Sequence, residues 1–271
     1  MKFSFLFYDP IDSLEELDRR MGLLASLGYQ GIELSASHPP PYSVREIAAL
    51  VEKHHLPVVS FLTGWSYPNE GLCLSSPDPT NRDRAVHRLV EYVEQAAALK
   101  ALIVVGLMQG LRSDEPDDET AKNRIADSLR RVAQQAEKVG GSVVIEPVNH
   151  LQVGFNNSVA EALAIADRVG SPALGVMLDT FHMHIEERSV VGAIRLHAAQ
   201  ARHVHLCETT GGPFGSGALD FRGVLSALDE SGYDRVVSIK VYRQLGWEEA
   251  ARSSAEYLRG LGFGIFQVPA S

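Results

Sequence analysis

The densest group of chemically reactive side chains lies in one short stretch, residues 178–187, which follows the apolar run 173–177. Its acids and imidazoles are Asp179, His182, His184, Glu186 and Glu187. The end of a buried strand does not tolerate such charges unless they are paired or hold a metal ion. A polar loop that caps the next helix is the alternative, but it does not require Asp179 at the strand end. We therefore interpret this stretch as the edge of a functional site.

Charged residues also close three other apolar runs. Glu146 follows 143–145, His205 lies near the end of 202–206, and Lys240 follows 236–239. Positions 146, 179, 205 and 240 are separated by 33, 26 and 35 residues, which is the length of one strand and one helix each. Parallel strands joined by helices end at the same edge of a sheet. We therefore expect these side chains to meet at one rim.

Two carboxylates and an imidazole form an open site for a divalent cation such as Mn²⁺, Co²⁺ or Mg²⁺, with Mn²⁺ preferred. We predict that Glu146, Asp179 and His205 hold this ion. Each residue alone has an ordinary alternative, because acids after strands often cap helices and His205 could be a hydrogen-bonded core histidine. His203 shares a strand face with His205, so one of the two is expected to support the other.

These residues require strands and helices that alternate along the chain. Short apolar runs predict eight strands, at 3–8, 30–34, 57–62, 101–106, 142–146, 174–178, 203–207 and 236–239. Eight helical patterns follow them, and no linker divides the sequence. The pattern predicts a single (β/α)₈ TIM barrel, an α/β fold that spans 1–271 as one domain. An open doubly wound sheet is the alternative, but strand one is not followed by a glycine fingerprint.

Composition excludes several classes of function. The net charge is −9 without a basic block, which argues against a nucleic-acid partner. No run approaches the roughly 20 apolar residues that span a bilayer, so we expect no membrane association. The N-terminal apolar run is too short for a signal peptide, and Cys73 and Cys207 form no motif. We therefore expect a cytoplasmic protein with reduced cysteines.

Five motifs carry a resemblance to a known family: LGYQGIEL (27–34), IEPVNH (145–150), LDTFHMHIEE (178–187), HVHLCE (203–208) and GSGALDF (215–221). In this order they are similar to the xylose isomerase-like barrels, in particular the ketose 3-epimerases and enzymes that act on keto-glycosides. The resemblance implies a small carbohydrate substrate, a divalent metal ion and a possible homodimer or homotetramer. It is specific for the superfamily and does not identify the sugar.

The resemblance also implies roles for individual residues. The family's four metal ligands fall on Glu146, Asp179, His205 and Lys240, and its acid–base pair falls on Glu146 and Lys240. The predicted substrate-binding residues are His182, Gln152, Glu208 and Trp65, the last in a loop that also carries Tyr67. The chain departs from the family at Lys240, where a glutamate is usual, and in loop 209–217, which lacks a cation.

Lys240 leaves the role of the metal ion open. A lysine ammonium about 4 Å from a dication is repelled by roughly 8 kcal/mol at an effective dielectric constant of 20. Lowering the pKa of the amine to about 7 costs only some 4–5 kcal/mol. Beside a metal ion, Lys240 should therefore be neutral or turn away. Alternatively, its ammonium replaces the charge of the metal ion, or the side chain leaves the site and pairs with an acid such as Glu146.

Three functions are compatible with these residues. The first is a metal-dependent isomerase or epimerase that removes a proton alpha to the polarised carbonyl of a small keto-sugar. The second is a decarboxylase or lyase for a keto-sugar acid, in which Lys240 forms an imine or donates a proton. The third is a catalytically degenerate barrel that binds a sugar or a partner protein.

Overall fold

The computed structural model describes residues 1–243 and 246–263. The predicted domain extends to residue 271, so its last residues, 264–271, lie outside the described part of the chain, as do residues 244–245. No described helix combines the length and the apolar character needed to cross a bilayer.

Eight parallel strands close into a barrel in chain order, and strand one pairs with strand eight. The strands are β1 (Lys2–Phe7), β2 (Gly31–Ser35), β3 (Val58–Leu62), β4 (Leu102–Val105), β5 (Ser142–Ile145), β6 (Leu174–Asp179), β7 (Ala201–Cys207) and β8 (Val236–Lys240). This closure confirms the predicted (β/α)₈ TIM barrel and excludes the open sheet.

Helices surround the barrel and connect its strands. They are α1 (Leu14–Leu27), α2 (Val44–His54), α3 (Ser66–Glu70), α4 (Pro79–Ala98), α5 (Asp118–Val139), α6 (Val159–Val169), α7 (Thr180–Glu186), α8 (Val190–His197), α9 (Phe221–Glu230) and α10 (Trp247–Gly260). The short helices α3 and α7, and a 3₁₀ turn at Leu107–Gln109, are not evident from the sequence. All three follow strand ends, and they shape the rim of the barrel.

Strand alternation divides each strand between two environments. The outward residues, such as Phe5, Ile32 and Val204, pack with the helices in the main core. The inward residues around β4 to β6 form a small apolar cluster of Val104, Val144 and Met177. The inward residues of the other strands include six polar side chains that are almost completely buried: Ser4, Glu33, Ser60, His203, His205 and Ser238. The barrel interior therefore has an apolar side and a polar side.

Candidate active site

The ends of β5 to β8 bring the predicted residues together. The Nδ1 atom of His205 lies 3.3 Å from Asp179 Oδ2 and 3.5 Å from Glu146 Oε1. The Nζ atom of Lys240 lies 2.7 Å from Asp179 Oδ2 and 3.8 Å from Glu146 Oε1. All four side chains are buried. The strand spacing therefore places two acids, an imidazole and an amine at one point on the rim.

The two carboxylate oxygens of Asp179 have different partners: one caps a helix, and the other contacts side chains of the site. Its Oδ1 accepts hydrogen bonds from the backbone N–H groups of Phe181 at 2.8 Å and His182 at 3.3 Å, which caps the N-terminus of α7. This cap leaves Oδ2 for Lys240 and His205. The helix that begins here also carries His182 to the cavity, so a single aspartate orients both the charged cluster and the neighbouring imidazole.

Lys240 points into the site and donates a hydrogen bond to Asp179. The interpretation in which it leaves the site to pair with Glu146 is therefore wrong. Burial lowers the pKa of Lys240, but the carboxylates of Asp179 and Glu146 outweigh burial and hold that pKa well above its usual value. In this arrangement Lys240 is an ammonium, and it lies beside an oxygen that we predicted to bind the metal ion.

Glu146 presents an unoccupied oxygen to the cavity. Its Oε1 is buried and accepts no hydrogen bond from the described residues, although His205, His182 and Lys240 surround it within 3.5–3.8 Å. Burial raises the pKa of Glu146, but the ammonium of Lys240 and the two imidazoles lower it more. Glu146 is therefore ionised and free to accept a proton or to bind a cation.

A divalent cation fits the donor set of Glu146, Asp179 and His205. Oxygen and imidazole ligands suit such ions, and the Oε1 of Glu146 lacks a hydrogen-bond partner among the described residues. Donor atoms of Glu146, Asp179 and His182 also lie within 4.8 Å of one another, so the imidazole ligand could come from either histidine. Lys240 does not fit such a set as an ammonium, and cation binding requires it to lose its proton or move. Burial lowers the pKa of His205, but Glu33 and the other carboxylates outweigh burial and hold that pKa well above its usual value, so a cation must also displace a proton from its imidazole.

His182 faces the cavity through its Nε2 atom. The side-chain amide of Asn149 lies 2.7 Å from His182 Nδ1 and donates to it, which leaves the proton on Nε2. Nε2 lies 3.7 Å from Glu146 Oε1 and 3.9 Å from Asp179 Oδ2. Burial lowers the pKa of His182, so its imidazole is neutral and can donate one hydrogen bond to a substrate oxygen. Asn149 was not assigned a role from the sequence, although it lies in the IEPVNH motif.

A cavity of about 170 Å³ lies above these groups. Glu146, His182 and Lys240 lie in its wall together with two of the predicted substrate-binding residues, Trp65 and Gln152. The remaining lining is largely aromatic or aliphatic and includes Tyr8, Pro68, Leu107 and Val148. Trp65 is fixed because its Nε1 donates to the backbone oxygen of Tyr8 at 3.1 Å. The cavity thus combines apolar walls with a charged end, as small-molecule sites do.

Glu208 does not line this cavity, in contrast to its predicted role in substrate binding. It is fully buried. Its two oxygens accept hydrogen bonds from the backbone N–H groups of Thr209, Leu219 and Gly215 at 2.8, 3.1 and 3.0 Å. Both oxygens are directed at the glycine-rich loop 209–219, so the contacts of Glu208 support a structural role.

We expect Glu208→Ala to destabilise the protein by about 3 kcal/mol, because it leaves three loop N–H groups without an acceptor. Thermal unfolding followed by circular dichroism measures the change. Glu256→Ala removes the same charge from an exposed position on α10 and serves as the control. An equal melting temperature for the two variants would contradict the structural role of Glu208.

Glu33 is a member of the cluster that the sequence interpretation did not assign. It lies on β2 between Ile32 and Leu34, which face the helices, so alternation turns its side chain into the barrel. Its Oε1 lies 3.0 Å from His205 Nε2, and its Oε2 lies 3.3 Å from His203 Nε2. Burial raises the pKa of Glu33, but the two imidazoles outweigh burial and hold it well below its usual value. In the sequence, its presence inside the barrel was indicated by one acidic residue within an otherwise apolar strand.

A closed barrel with an ionised carboxylate and an ammonium at the end of one cavity is suited to acid–base chemistry on a small molecule. Comparison with known proteins assigns the family. The chain belongs to the xylose isomerase-like TIM barrel family, which matches residues 21–261. It is 31% identical over 222 residues to the L-ribulose 3-epimerase of Mesorhizobium japonicum, a match that covers 80% of this chain and 73% of that protein.

Other relatives agree with this assignment. The ketose 3-epimerase of Arthrobacter globiformis is 30% identical over 210 residues, which covers 76% of this chain and 71% of that protein. The structure of D-psicose 3-epimerase with D-tagatose from Clostridium cellulolyticum H10 matches with a TM-score of 0.83 and 24% identity, and covers 96% of this chain and 99% of that one. The predicted family is confirmed, and the curated relatives place the chain among isomerases and epimerases.

Proposed function

We propose that the protein epimerises or isomerises a small, unphosphorylated keto-sugar by removing a proton alpha to its carbonyl group. The observation that carries this proposal is the meeting of Glu146 and Lys240 at the charged end of the cavity, 3.8 Å apart. The pKa of Glu146 is lowered and the pKa of Lys240 is raised. One group is therefore ionised and can accept a proton, and the other is protonated and can donate one.

Glu146 is the base in this proposal. Its ionised Oε1 is free of hydrogen bonds from the described residues, so it can take the proton from the substrate carbon without breaking an existing bond. Lys240 is the acid. It donates to Asp179 and lies 3.8 Å from Glu146 in the structure, so transfer of its proton to the opposite face of the carbon requires the amine to move away from both carboxylates.

The remaining groups orient the substrate and exclude water. His182 donates from Nε2 to a substrate oxygen, since Asn149 occupies its other nitrogen. Trp65 and Tyr8 cover the apolar face of the sugar, and Gln152 provides a polar group for a hydroxyl. A divalent ion held by Glu146, Asp179 and His205, for which we propose Mn²⁺, would polarise the carbonyl group when bound.

The substrate is proposed to lack a phosphate group. Among the described residues that line the cavity, Lys240 is the single lysine or arginine, and its ammonium is already paired with Asp179. Phosphate recognition relies on arginine or lysine side chains. The names of the relatives, which include L-ribulose and D-psicose 3-epimerases, support ketoses of five or six carbons as the first compounds to test.

The free cysteines Cys73 and Cys207 are both buried, which agrees with the proposed cytoplasmic location. Assembly as a homodimer or homotetramer stays a prediction, and light scattering measures it. The lyase alternative is less well supported, because an imine requires a neutral amine and Asp179 holds Lys240 as an ammonium. Borohydride trapping with keto-sugar acids tests that alternative.

The experiment that tests the proposed function is proton exchange in D₂O. Incubation of the protein with ribulose, psicose, tagatose or fructose, with and without Mn²⁺, should incorporate deuterium at the carbon next to the carbonyl and yield the epimer. Proton NMR follows both signals. Glu146→Gln removes the base with little change in size, and we expect exchange to fall by at least about 100-fold.

A catalytically degenerate barrel makes the opposite prediction. It would bind one of these sugars, as measured by calorimetry, without deuterium incorporation above that of Glu146→Gln. Binding without exchange for every ketose, with and without metal ion, would therefore contradict the proposed function.

A further inference from the structure

Glu33 lies below the site, inside the barrel and away from the cavity wall. It is completely buried, and its carboxylate contacts the imidazoles of His203 and His205 on β7. A carboxylate in this environment is unfavourable unless its oxygens are paired. The described lining of the cavity does not include Glu33, so it cannot contact a substrate there. Its effect on the reaction must pass through another residue.

That residue is His205, whose two ring nitrogens face opposite directions. Nδ1 is directed at Asp179 and Glu146, at 3.3 and 3.5 Å. Nε2 lies 3.0 Å from Oε1 and 3.1 Å from Oε2 of Glu33. An ionised carboxylate only accepts hydrogen bonds, so Nε2 donates to Glu33 and Nδ1 donates to Asp179. The contact with Glu33 leaves Nδ1 as the nitrogen that faces the site.

Glu33 also contacts a second histidine of β7. His203 Nε2 lies 3.3 Å from Glu33 Oε2 and 3.2 Å from the hydroxyl of Ser238. The Ser238 hydroxyl in turn lies 2.5 Å from that of Ser4 on the neighbouring strand. The rings of His203 and His205 meet edge to face, 5.2 Å apart. A continuous set of buried contacts therefore fixes the carboxylate that contacts His205.

We propose that Glu33 is a positioning residue, which fixes the ring of His205 so that Nδ1 and not Nε2 faces Glu146 and Asp179. As far as it concerns catalysis, this inference rests on the proposed function. Its structural part does not, because the orientation and protonation of the imidazole can be measured without a substrate. The second contact, from His203, keeps Glu33 in place.

Imidazole ¹⁵N–¹H NMR of the full protein tests the inference. The N–H group of His205 that donates to Glu33 should give a downfield proton signal that exchanges slowly with water. In Glu33→Gln the acceptor is no longer charged, so this signal should move upfield and exchange at least about tenfold faster. On the proposed substrates, kcat should fall by about 10–100-fold with little change in KM. Losses of this size are usual when a residue that orients an active-site histidine is replaced.

Ser60→Ala is the matched control. Ser60 pairs in register with Glu33 on the adjacent strand and is equally buried, but its hydroxyl has no hydrogen-bond partner among the described residues. Its removal should leave the His205 signal unchanged. If Glu33→Gln does not fold, His203→Gln removes the second imidazole contact of the same carboxylate and should shift the His205 signal in the same direction by a smaller amount.

An unchanged His205 signal in Glu33→Gln, or in His203→Gln where only that variant folds, would overturn the inference. A shifted signal with unchanged kcat would also overturn the role of Glu33 in the reaction. If the wild-type protein shows no ketose exchange, the proposed function fails, and the NMR comparison still decides whether Glu33 sets the orientation of His205.

Discussion

Lys240→Glu is expected to raise the affinity of the protein for Mn²⁺ by at least about 100-fold. In the wild type, the ammonium lies 2.7 Å from Asp179 Oδ2. A dication must therefore either suffer repulsion of roughly 8 kcal/mol or force the lysine to lose its proton, which costs at least some 4–5 kcal/mol. Each 1.4 kcal/mol is about a tenfold change in affinity. The glutamate removes this cost and adds an oxygen ligand.

Isothermal titration calorimetry of the metal-free proteins measures this effect. Lys138→Glu makes the same change in charge at an exposed position on α5 and should leave the affinity almost unchanged. Lys240→Met removes the ammonium without adding a ligand and should fall between the two glutamate variants. Equal affinities of the wild type and Lys240→Glu would show that Lys240 already moves aside at no cost, and would contradict this reasoning.

The second large effect concerns the two faces of the substrate. In Lys240→Met, we expect epimer formation to fall by at least about 100-fold, while deuterium exchange at the reacting carbon continues. Glu146 would still remove the proton and return deuterium to the same face, because its Oε1 does not depend on Lys240 for a hydrogen bond. The product would be labelled substrate with unchanged configuration. Proton NMR in D₂O distinguishes the two outcomes in one sample.

Lys240→Arg separates charge from proton transfer. A guanidinium can pair with Asp179, but it does not lose its proton near neutral pH. This variant should therefore exchange deuterium without epimerisation, as Lys240→Met does. Recovery of epimerisation in Lys240→Arg would assign Lys240 an electrostatic role only. If Lys240→Met lost exchange and epimerisation to the same extent, the assignment of Glu146 as the base and Lys240 as the acid would be contradicted.

The barrel and the convergence of its strand ends could be predicted from the sequence for a simple reason. Parallel strands end at the same edge, so the spacing of Glu146, Asp179, His205 and Lys240 was sufficient to place them together. The direction of Lys240 could not be predicted, since it depends on the balance between burial and the attraction of Asp179. That balance requires distances between atoms.

Glu33 and Glu208 show the limits of the sequence more clearly. Glu33 is a single acid in the short strand β2, and its partners lie on β7, so no local pattern reveals the contact. Glu208 follows the same strand-end rule as Glu146, but the loop after β7 folds back and takes both of its oxygens. From the sequence, both Glu146 and Glu208 are acids at strand ends. The path of the following loop distinguishes the site residue Glu146 from the structural residue Glu208, and the sequence does not reveal that path.

The buried contact between Glu33 and the β7 histidines also bears on how the chain folds during synthesis. Glu33 is separated from His203 by 170 residues and from His205 by 172. Until β7 has emerged from the ribosome, a barrel-like arrangement of the earlier strands would bury a carboxylate without its partners, at a cost of several kcal/mol. This cost destabilises a compact half-barrel formed by the incomplete chain. We therefore expect closure of the barrel and neutralisation of its interior to occur together, once β7 is available.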